Sequence, residues 1–206
     1  MKRSNSSKRW LEEHFNDFYV KKAHIEGYRS RAAYKLKEVD EKELLIRPGM
    51  TVLDLGAAPG GWTQVVSEKL DGRGTIIALD CLPMDTLVGV TFIQGDFCDD
   101  AVLEQLCQIV PPRSVDLFLS DLAPNMSGNA AVDIPRAMDL AELAFDMSTQ
   151  LLKPGGALFM KIFHGSGFEE LVKLARSQFK RVVIRKPQAS RPRSRETYLL
   201  AKGYNL

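Results

Sequence analysis

The sequence predicts an α/β fold, a doubly wound seven-stranded mostly parallel sheet with one antiparallel strand, and three observations carry that expectation. Short apolar runs alternate with helix-compatible segments from Thr51 onward. The first run, Val52-Leu53-Asp54-Leu55, stops at Gly56-Ala57-Ala58-Pro59-Gly60-Gly61, and a helix-compatible stretch begins at Trp62. A buried parallel strand that ends in a glycine turn is the layout of a nucleotide-cofactor site in an open sheet. The last two runs are joined only by Pro187 to Arg195, a Pro/Ser/Arg-rich link too short for a crossover helix. They should pair as a hairpin, which sets one strand antiparallel.

Ahead of the sheet, Ser7 to about Val20 reads as a helix with Trp10, Phe15 and Phe18 among charged residues, and core packing is expected for Phe15 and Phe18. Ser30 is placed to cap a second helix running to about Leu45, with Ala33, Leu36 and Val39 as its apolar stripe. Arg47-Pro48-Gly49 then turns the chain into the strand at 51–56. A helix at 62–70, strands at 75–80 and 90–94, a helix at about 99–109 and the strand Val115 to Asp121 follow. A long helix, about 133–152, closes at Lys153-Pro154-Gly155-Gly156. Beyond it come a strand at 157–163, a helix at 167–178, and strands near 180–186 and 196–202.

The glycine turn narrows the choice of cofactor. A dinucleotide fingerprint would read G-x-G-x-x-G, and a phosphate-binding loop would add a lysine and a Ser/Thr; neither is present. Gly56, Gly60 and Gly61 let the backbone lie against a ligand, Pro59 stiffens the turn, and Asp54 stands inside the strand before it. A cofactor without phosphate fits better, and S-adenosylmethionine is cationic at sulfur and carries an ammonium group. Acidic residues should then recur at later strand ends. Asp80 ends Ile76-Ile77-Ala78-Leu79-Asp80, placed to accept two ribose hydroxyls, and Asp96 ends Val90 to Asp96, where an adenine amino group could donate. A seven-stranded sheet ending in a hairpin is also the Rossmann-like architecture of many S-adenosylmethionine-dependent methyltransferases.

In an open α/β sheet the reaction site lies beyond the carboxyl ends of the strands. Asp121 stands there at the fourth strand, and Lys161 lies inside the apolar run Leu158-Phe159-Met160-Lys161-Ile162-Phe163. A lysine in such a run is costly unless it has carboxylate partners or a function. Glu196 is the one acid among the last 27 residues, and Lys35 lies on the second helix, where by itself it reads as a solvated helix lysine.

With these residues the chain resembles the FtsJ/RrmJ-type ribosomal RNA 2'-O-ribose methyltransferases from Lys8 to Lys202. The segments that carry the resemblance are SKRWLEEHF, RSRAAYKL, VLDLGAAPGGWTQ, GDF, LSDLAPNMSG, AVDIPRAMDL, the glycine pair and lysine at 155–161, and SRPRSRETY. The resemblance implies a catalytic Lys-Asp-Lys-Glu tetrad at Lys35, Asp121, Lys161 and Glu196. It implies cofactor contacts at Gly60, Trp62, Asp80, Asp96 and Asp121, beside Gly56 and Pro59 of the turn. One departure is His164, where glutamine is expected. The implied target is the A-loop uridine of large-subunit (23S-type) ribosomal RNA, on an assembled subunit rather than naked RNA.

The chemistry asks that a ribose hydroxyl, a poor nucleophile near neutral pH, be held in line with the methyl and lose its proton as the bond forms. Lys161 is read as general base, Asp121 as positioning it and the donor, and Lys35 and Glu196 as aligning the nucleotide.

At 206 residues the chain supports one domain, 1–206, with basic N-terminal helices at 1–46 for RNA and a cofactor-binding catalytic core at 47–206. Its 45% hydrophobic and 26% charged residues are ordinary for a soluble protein, and no apolar run is long enough to span a bilayer. The N-terminal stretch has basic residues without an apolar h-region, and Glu12, Glu13 and Asp17 argue against a transit peptide. Cys81, Cys98 and Cys107 show no C-x-x-C spacing, and His14, His24 and His164 form no metal-ligand pattern. No metal or disulfide is expected, and the cytoplasm is the default compartment. The net charge of +2 conceals segregation. Residues 1–37 hold ten Lys/Arg against four Asp/Glu, residues 180–206 hold eight against one, and the middle holds ten against twenty-one. Basic ends can track a phosphate backbone. Lys8, Arg9, Lys21, Lys22, Arg29, Arg31, Arg191, Arg193 and Arg195 are candidate phosphate contacts, and Trp10 or Tyr34 could stack on a base. The expected partner is the large ribosomal subunit, with the enzyme a monomer. Alternatives are action on transfer RNA or an mRNA cap, a non-catalytic RNA-binding assembly factor, or a small-molecule or protein methyltransferase, the last disfavoured by the basic ends.

Overall fold

Strand order decides where the site falls. The computed structural model describes residues 17–191 and 193–205. Among them, seven strands form one sheet: β1 (Thr51–Leu55), β2 (Thr75–Asp80), β3 (Val90–Gln94), β4 (Val115–Ser120), β5 (Leu152–Phe163), β6 (Phe179–Arg185) and β7 (Glu196–Tyr204). They lie in the order β3-β2-β1-β4-β5-β7-β6. The order reverses between β1 and β4, so their carboxyl ends open a crevice at the end of the glycine turn. β7 runs antiparallel to both β5 and β6, and the other pairs are parallel. The expected hairpin is present, and the sheet class is the one predicted.

The helices are α1 (Phe18–Glu26), α2 (Ala33–Glu43), α3 (Gly61–Leu70), α4 (Asp100–Ile109), α5 (Ala130–Leu151) and α6 (Phe168–Gln178). Alternation along each strand sorts side chains to two faces. On one, Val52, Ile76, Leu117, Leu119, Phe159 and Leu200 pack under Leu36 and Val39 of α2 and Val65 and Val66 of α3. On the other, Leu53, Leu55, Phe118, Leu158 and Met160 pack under Leu106 of α4, Phe145 of α5 and Leu171 of α6.

Several boundaries differ from expectation for identifiable reasons. The predicted helix from Ser7 to Val20 lies mostly outside the described residues. The helix seen there starts at Phe18, because the Asp17 side chain accepts from the amides of Tyr19 and Val20. Ser30 is not a side-chain cap: its carbonyl accepts from Ala33 to close a turn, and α2 begins three residues later. Helix α5 begins at Ala130 rather than 133 because Asn129 caps it. Strand β5 begins at Leu152, which pairs with Val115, while the pairing next resumes at Leu117 and Ala157. The segment 153–156, expected as a closing turn, is therefore an outward excursion of the strand.

The last turn of α2 is fastened to the β6–β7 pair by one carboxylate. Glu43, nearly buried, accepts from Arg181 at 2.7 Å, pairs with Arg185, and lies 3.5 Å from Lys202. Burial pushes its carboxyl up, but the two arginines outweigh this and hold it at about 2. A carboxyl lowered in the folded state stabilises above its ordinary value of 4.5, and that contribution is lost as pH falls through about 2. Denaturant unfolding of Glu43→Gln should therefore show lower stability than the parent at neutral pH and a gap that closes on acidification through that window. A gap independent of pH would contradict the ion-pair account.

Candidate active site

The glycine turn follows β1 directly. Gly56 and Gly60 have positive φ, 76° and 107°, which glycine adopts without strain. The reason they must be glycine is partly different from the one expected. A Cβ on Gly56 would come within 2.8 Å of the Leu122 side chain, one on Gly61 within 2.3 Å of Ser30 Oγ, and one on Gly60 within 2.8 Å of the Arg29 guanidinium. The glycines thus admit neighbouring protein segments as well as exposing backbone. A cavity of about 200 Å³ remains beside Gly56, Pro59, Ser30 and Asp121. The Trp62 ring is 2% exposed, donates to the Ala32 carbonyl at 2.8 Å and stacks on Phe159, so what Trp62 presents at the turn is its backbone.

Three carboxylates surround this turn. Asp80 Oδ2 accepts from the Ala58 amide at 2.9 Å and Oδ1 from the Leu82 amide at 2.8 Å, which ties the turn to the end of β2. Each oxygen retains a second lone-pair direction for a ligand hydroxyl. Asp96 is exposed one strand further on, with Oδ1 accepting from the Cys98 amide at 3.0 Å. Asp54 is fully buried; its Oδ2 accepts from Thr63 Oγ1 at 2.6 Å, and its Oδ1 has no protein partner among the described residues. Burial is the main reason its carboxyl rises to about 7, with the charges of Asp121 and Asp80 adding to the push and Thr63 opposing it.

The four residues expected to act together do meet. Lys161 Nζ lies 2.7 Å from Asp121 Oδ1 and donates to the Asp121 carbonyl at 2.8 Å. Lys35 Nζ lies 2.9 Å from Glu196 Oε1. A fifth residue, missed in the sequence, joins the pairs. Tyr198 is fully buried; its hydroxyl donates to Asp121 Oδ1 at 3.0 Å and accepts from Lys35 at 2.8 Å. A period-two signal was available: Glu196 and Tyr198 are two apart on one strand and so share a face. In the register Tyr198 stands opposite Lys161, and Glu196 opposite Phe163.

Electrostatics follow from the pairing. Burial pushes the Asp121 carboxyl up, but Lys161 and Lys35 outweigh it and the net direction is down. Glu196 behaves likewise, with Lys35 overcoming burial. Tyr198 is driven well above its ordinary value by burial and by the two carboxylates, so its hydroxyl stays a donor. Lys35, read by itself as a solvated helix lysine, is instead nearly buried.

Beside this cluster a cleft of about 770 Å³ is lined by Arg31, Lys35, Arg191, Arg193 and Glu196, among others. Arg31 and Arg191 reach Asp17, and Arg31 also donates to the Ala189 carbonyl, so both are held at the cleft wall. Arg29 is not among the residues lining this cleft: it donates to the carbonyls of Asp85 and Thr86 across the glycine turn. Tyr34 is buried against Ala23 and Ala189 and donates to Glu26 at 2.9 Å, which corrects its reading as a base-stacking ring. Phe18, expected in the core, is 67% exposed. Lys8, Arg9, Trp10 and Phe15 lie outside the described residues. His164 stacks on Phe168 with ring centroids 4.2 Å apart. No group of three or more His, Cys, Asp or Glu among the described residues is arranged to hold a metal ion, and no helix among them is long and apolar enough to cross a membrane.

A doubly wound sheet with a glycine turn, strand-end carboxylates and a largely covered Lys/Asp/Lys/Glu cluster is the framework of a methyltransferase, and comparison with known proteins agrees. Residues 28–204 match the model of the FtsJ-like methyltransferases, and the chain belongs to that family. It is 68% identical to the ribosomal RNA large subunit methyltransferase E of Legionella pneumophila strain Corby over the whole of both chains. It is 58% identical to the protein of that name from Pseudomonas fluorescens, over 99% of this chain and 98% of the other. A Plasmodium falciparum crystal structure described as a ribosomal RNA methyltransferase superposes with a TM-score of 0.76 at 34% identity, covering 86% of this chain and 98% of that one.

The raised carboxyl of Asp54 has a measurable sign. An acid whose folded value is about 7 against an ordinary 3.8 favours folding in the protonated form. Its contribution is fully present below the ordinary value and is lost as pH rises through about 7. Urea unfolding of Asp54→Asn should lose that part of the pH dependence, so the variant gains on the parent between acid and neutral pH. Parallel profiles for the two proteins would show that Asp54 titrates normally.

Proposed function

We propose that the chain is an S-adenosylmethionine-dependent RNA ribose 2'-O-methyltransferase that acts on large-subunit ribosomal RNA. The observation that carries the proposal is the continuous Lys161–Asp121–Tyr198–Lys35–Glu196 network at the carboxyl rim of the sheet, between the glycine turn and a cation-lined cleft. The names of its relatives support ribosomal RNA as the substrate. The resemblance in sequence supports the finer target, the uridine of the A-loop on an assembled subunit, and a monomeric enzyme of the cytoplasm.

The residues at the turn suit the proposed methyl donor. Burial is the main cause of the raised Asp54 carboxyl, but Asp121 and Asp80 add to it, a concentration of negative charge that a cationic ligand relieves, and Asp54 Oδ1 has no protein partner among the described residues. Gly56, Pro59, Gly60, the Trp62 backbone and Asp121 would hold the donor's methionine portion, and Asp80 and Asp96 its ribose and adenine. Bound there, S-adenosylmethionine supplies an electrophilic methyl on a cationic sulfur.

The protein's part is alignment and proton removal. Lys161 spends two directions on Asp121, one on its carboxylate and one on its carbonyl. In the neutral amine the remaining direction carries the lone pair that takes the hydroxyl proton, and Asp121 then balances the resulting ammonium. Tyr198 and Glu196 hold Lys35 from two sides, which leaves its third N–H to orient the nucleotide. The basic segments at 1–46 and 185–195 would grip phosphates, with Arg31, Arg191 and Arg193 nearest the cluster.

Tritium from labelled cofactor should pass to large ribosomal subunits and, after nuclease digestion, be found on a 2'-O-methyl nucleotide. Label on a base or on protein would overturn the reading. Lys161→Ala should cut turnover at least about a hundredfold, the range expected on losing a general base, with cofactor affinity unchanged. Near-parental turnover would remove Lys161 from the role of base.

A further inference from the structure

Among the side chains that line the cleft beside the cluster, one is hydrophobic. Its walls carry Arg31, Lys35, Arg191, Arg193, Ser194 and Glu196, yet Met126 also lines it and is 58% exposed. A lone exposed apolar side chain is ordinary on a surface. This one differs because its loop is fastened from behind. Asp133, 2% exposed in the first turn of α5, accepts from the Ser127 amide at 2.8 Å, the Ser127 hydroxyl at 2.7 Å and the Gly128 amide at 2.9 Å. Asn129 caps the same helix one residue further on. Polar groups thus hold residues 127–129, and Met126, next to this fixed base, lines a cleft whose other side chains end in charged groups or a hydroxyl.

A nucleotide offers three kinds of surface, and each finds a counterpart here. The arginines suit its phosphates and the Lys35/Glu196 pair its sugar hydroxyls, but neither suits the apolar face of a base. A thioether does, because sulfur is polarizable and packs favourably on aromatic rings. The geometry points to Met126 as a base-contacting residue that packs on the face of an RNA base lodged in the cleft. Met126 has no strong hydrogen-bond donor or acceptor, so the contact registers that a base is present and not which base it is. This inference rests on the RNA-binding part of the proposed function but not on methyl transfer.

The test separates the two. Fluorescence anisotropy of the full chain measures affinity for oligouridylate and for an abasic ribose-phosphate oligomer of equal length. The parent should prefer the base-bearing oligomer. Met126→Ala should lose about tenfold in affinity for oligouridylate and nothing for the abasic oligomer, while Met126→Leu keeps most of the preference. In turnover with large ribosomal subunits, Met126→Ala should raise KM and leave kcat and cofactor affinity near parental values. Equal losses on both oligomers, or no loss on either, would overturn the inference. If the parent binds both oligomers but transfers no methyl to ribosomal RNA, the functional reading fails while the Met126 contact is still decided by the oligomer pair.

Discussion

The carboxylate of Asp121 is the point at which four elements are joined. It stands just past β4, takes a hydrogen bond from Lys161 of β5 and another from Tyr198 of β7, and through that phenol reaches Lys35 of α2. Two lysines and two carboxylates occupy largely desolvated positions, an arrangement that is unfavourable for any member left without its partner. Apolar packing cannot supply this positioning, because burial of Ala33, Leu36 and Val39 is non-directional and tolerates small rotations of α2. Polar contacts at both ends of the helix remove that freedom. Lys35 is fixed near its start, and Glu43 is fastened to β6 and β7 at its finish.

Charge segregation along the chain acquires a different meaning in three dimensions. Two acids, Asp17 in the basic N-terminal end and Glu43 in the acidic middle, organise cations drawn from the basic ends. Asp17 caps α1 and draws Arg31 and Arg191 to one wall of the cleft, while Glu43 gathers Arg181, Arg185 and Lys202 on the far part of the same sheet face. An arginine held by one carboxylate keeps donors in its planar fork for a phosphate, already ordered before the polyanion arrives. Arg29 shows the other outcome, with its donors directed at backbone carbonyls of the 85–86 segment.

Much of this architecture was legible in the residues. Strands announced themselves by length and apolar content, the glycine turn by its contrast with β1, and Lys161 by being a charge in an apolar run. Asp121 and Glu196 were legible as acids at strand ends. Tyr198 was not, because tyrosine is an ordinary strand residue whose burial and partners depend on tertiary neighbours. At the first described residues a cap was missed for a local reason: Asp17 looks like one more charge in a mixed-charge stretch, yet its side chain accepts from the amides of Tyr19 and Val20. Phe18 is exposed and Tyr34 is buried, the reverse of their expected roles, because tertiary neighbours rather than residue type decide which aromatic is covered. The glycines of the turn were read toward a ligand, whereas Leu122, Ser30 and Arg29, distant in sequence, supply part of their constraint.

The antiparallel insertion of β7 between β5 and β6 makes the site all-or-none. Because Lys161 faces Tyr198 across the ladder, and alternate side chains point to opposite faces, a slip of one residue in that pairing would send the phenol and Glu196 together to the α5–α6 side. The amine network would then lose both partners in a single step, and an apolar layer would receive a carboxylate. Length changes in the link between β6 and β7 are therefore tolerable only where they leave this ladder in place. Such changes divide sharply into ones that spare the amine network and ones that dismantle the whole cluster.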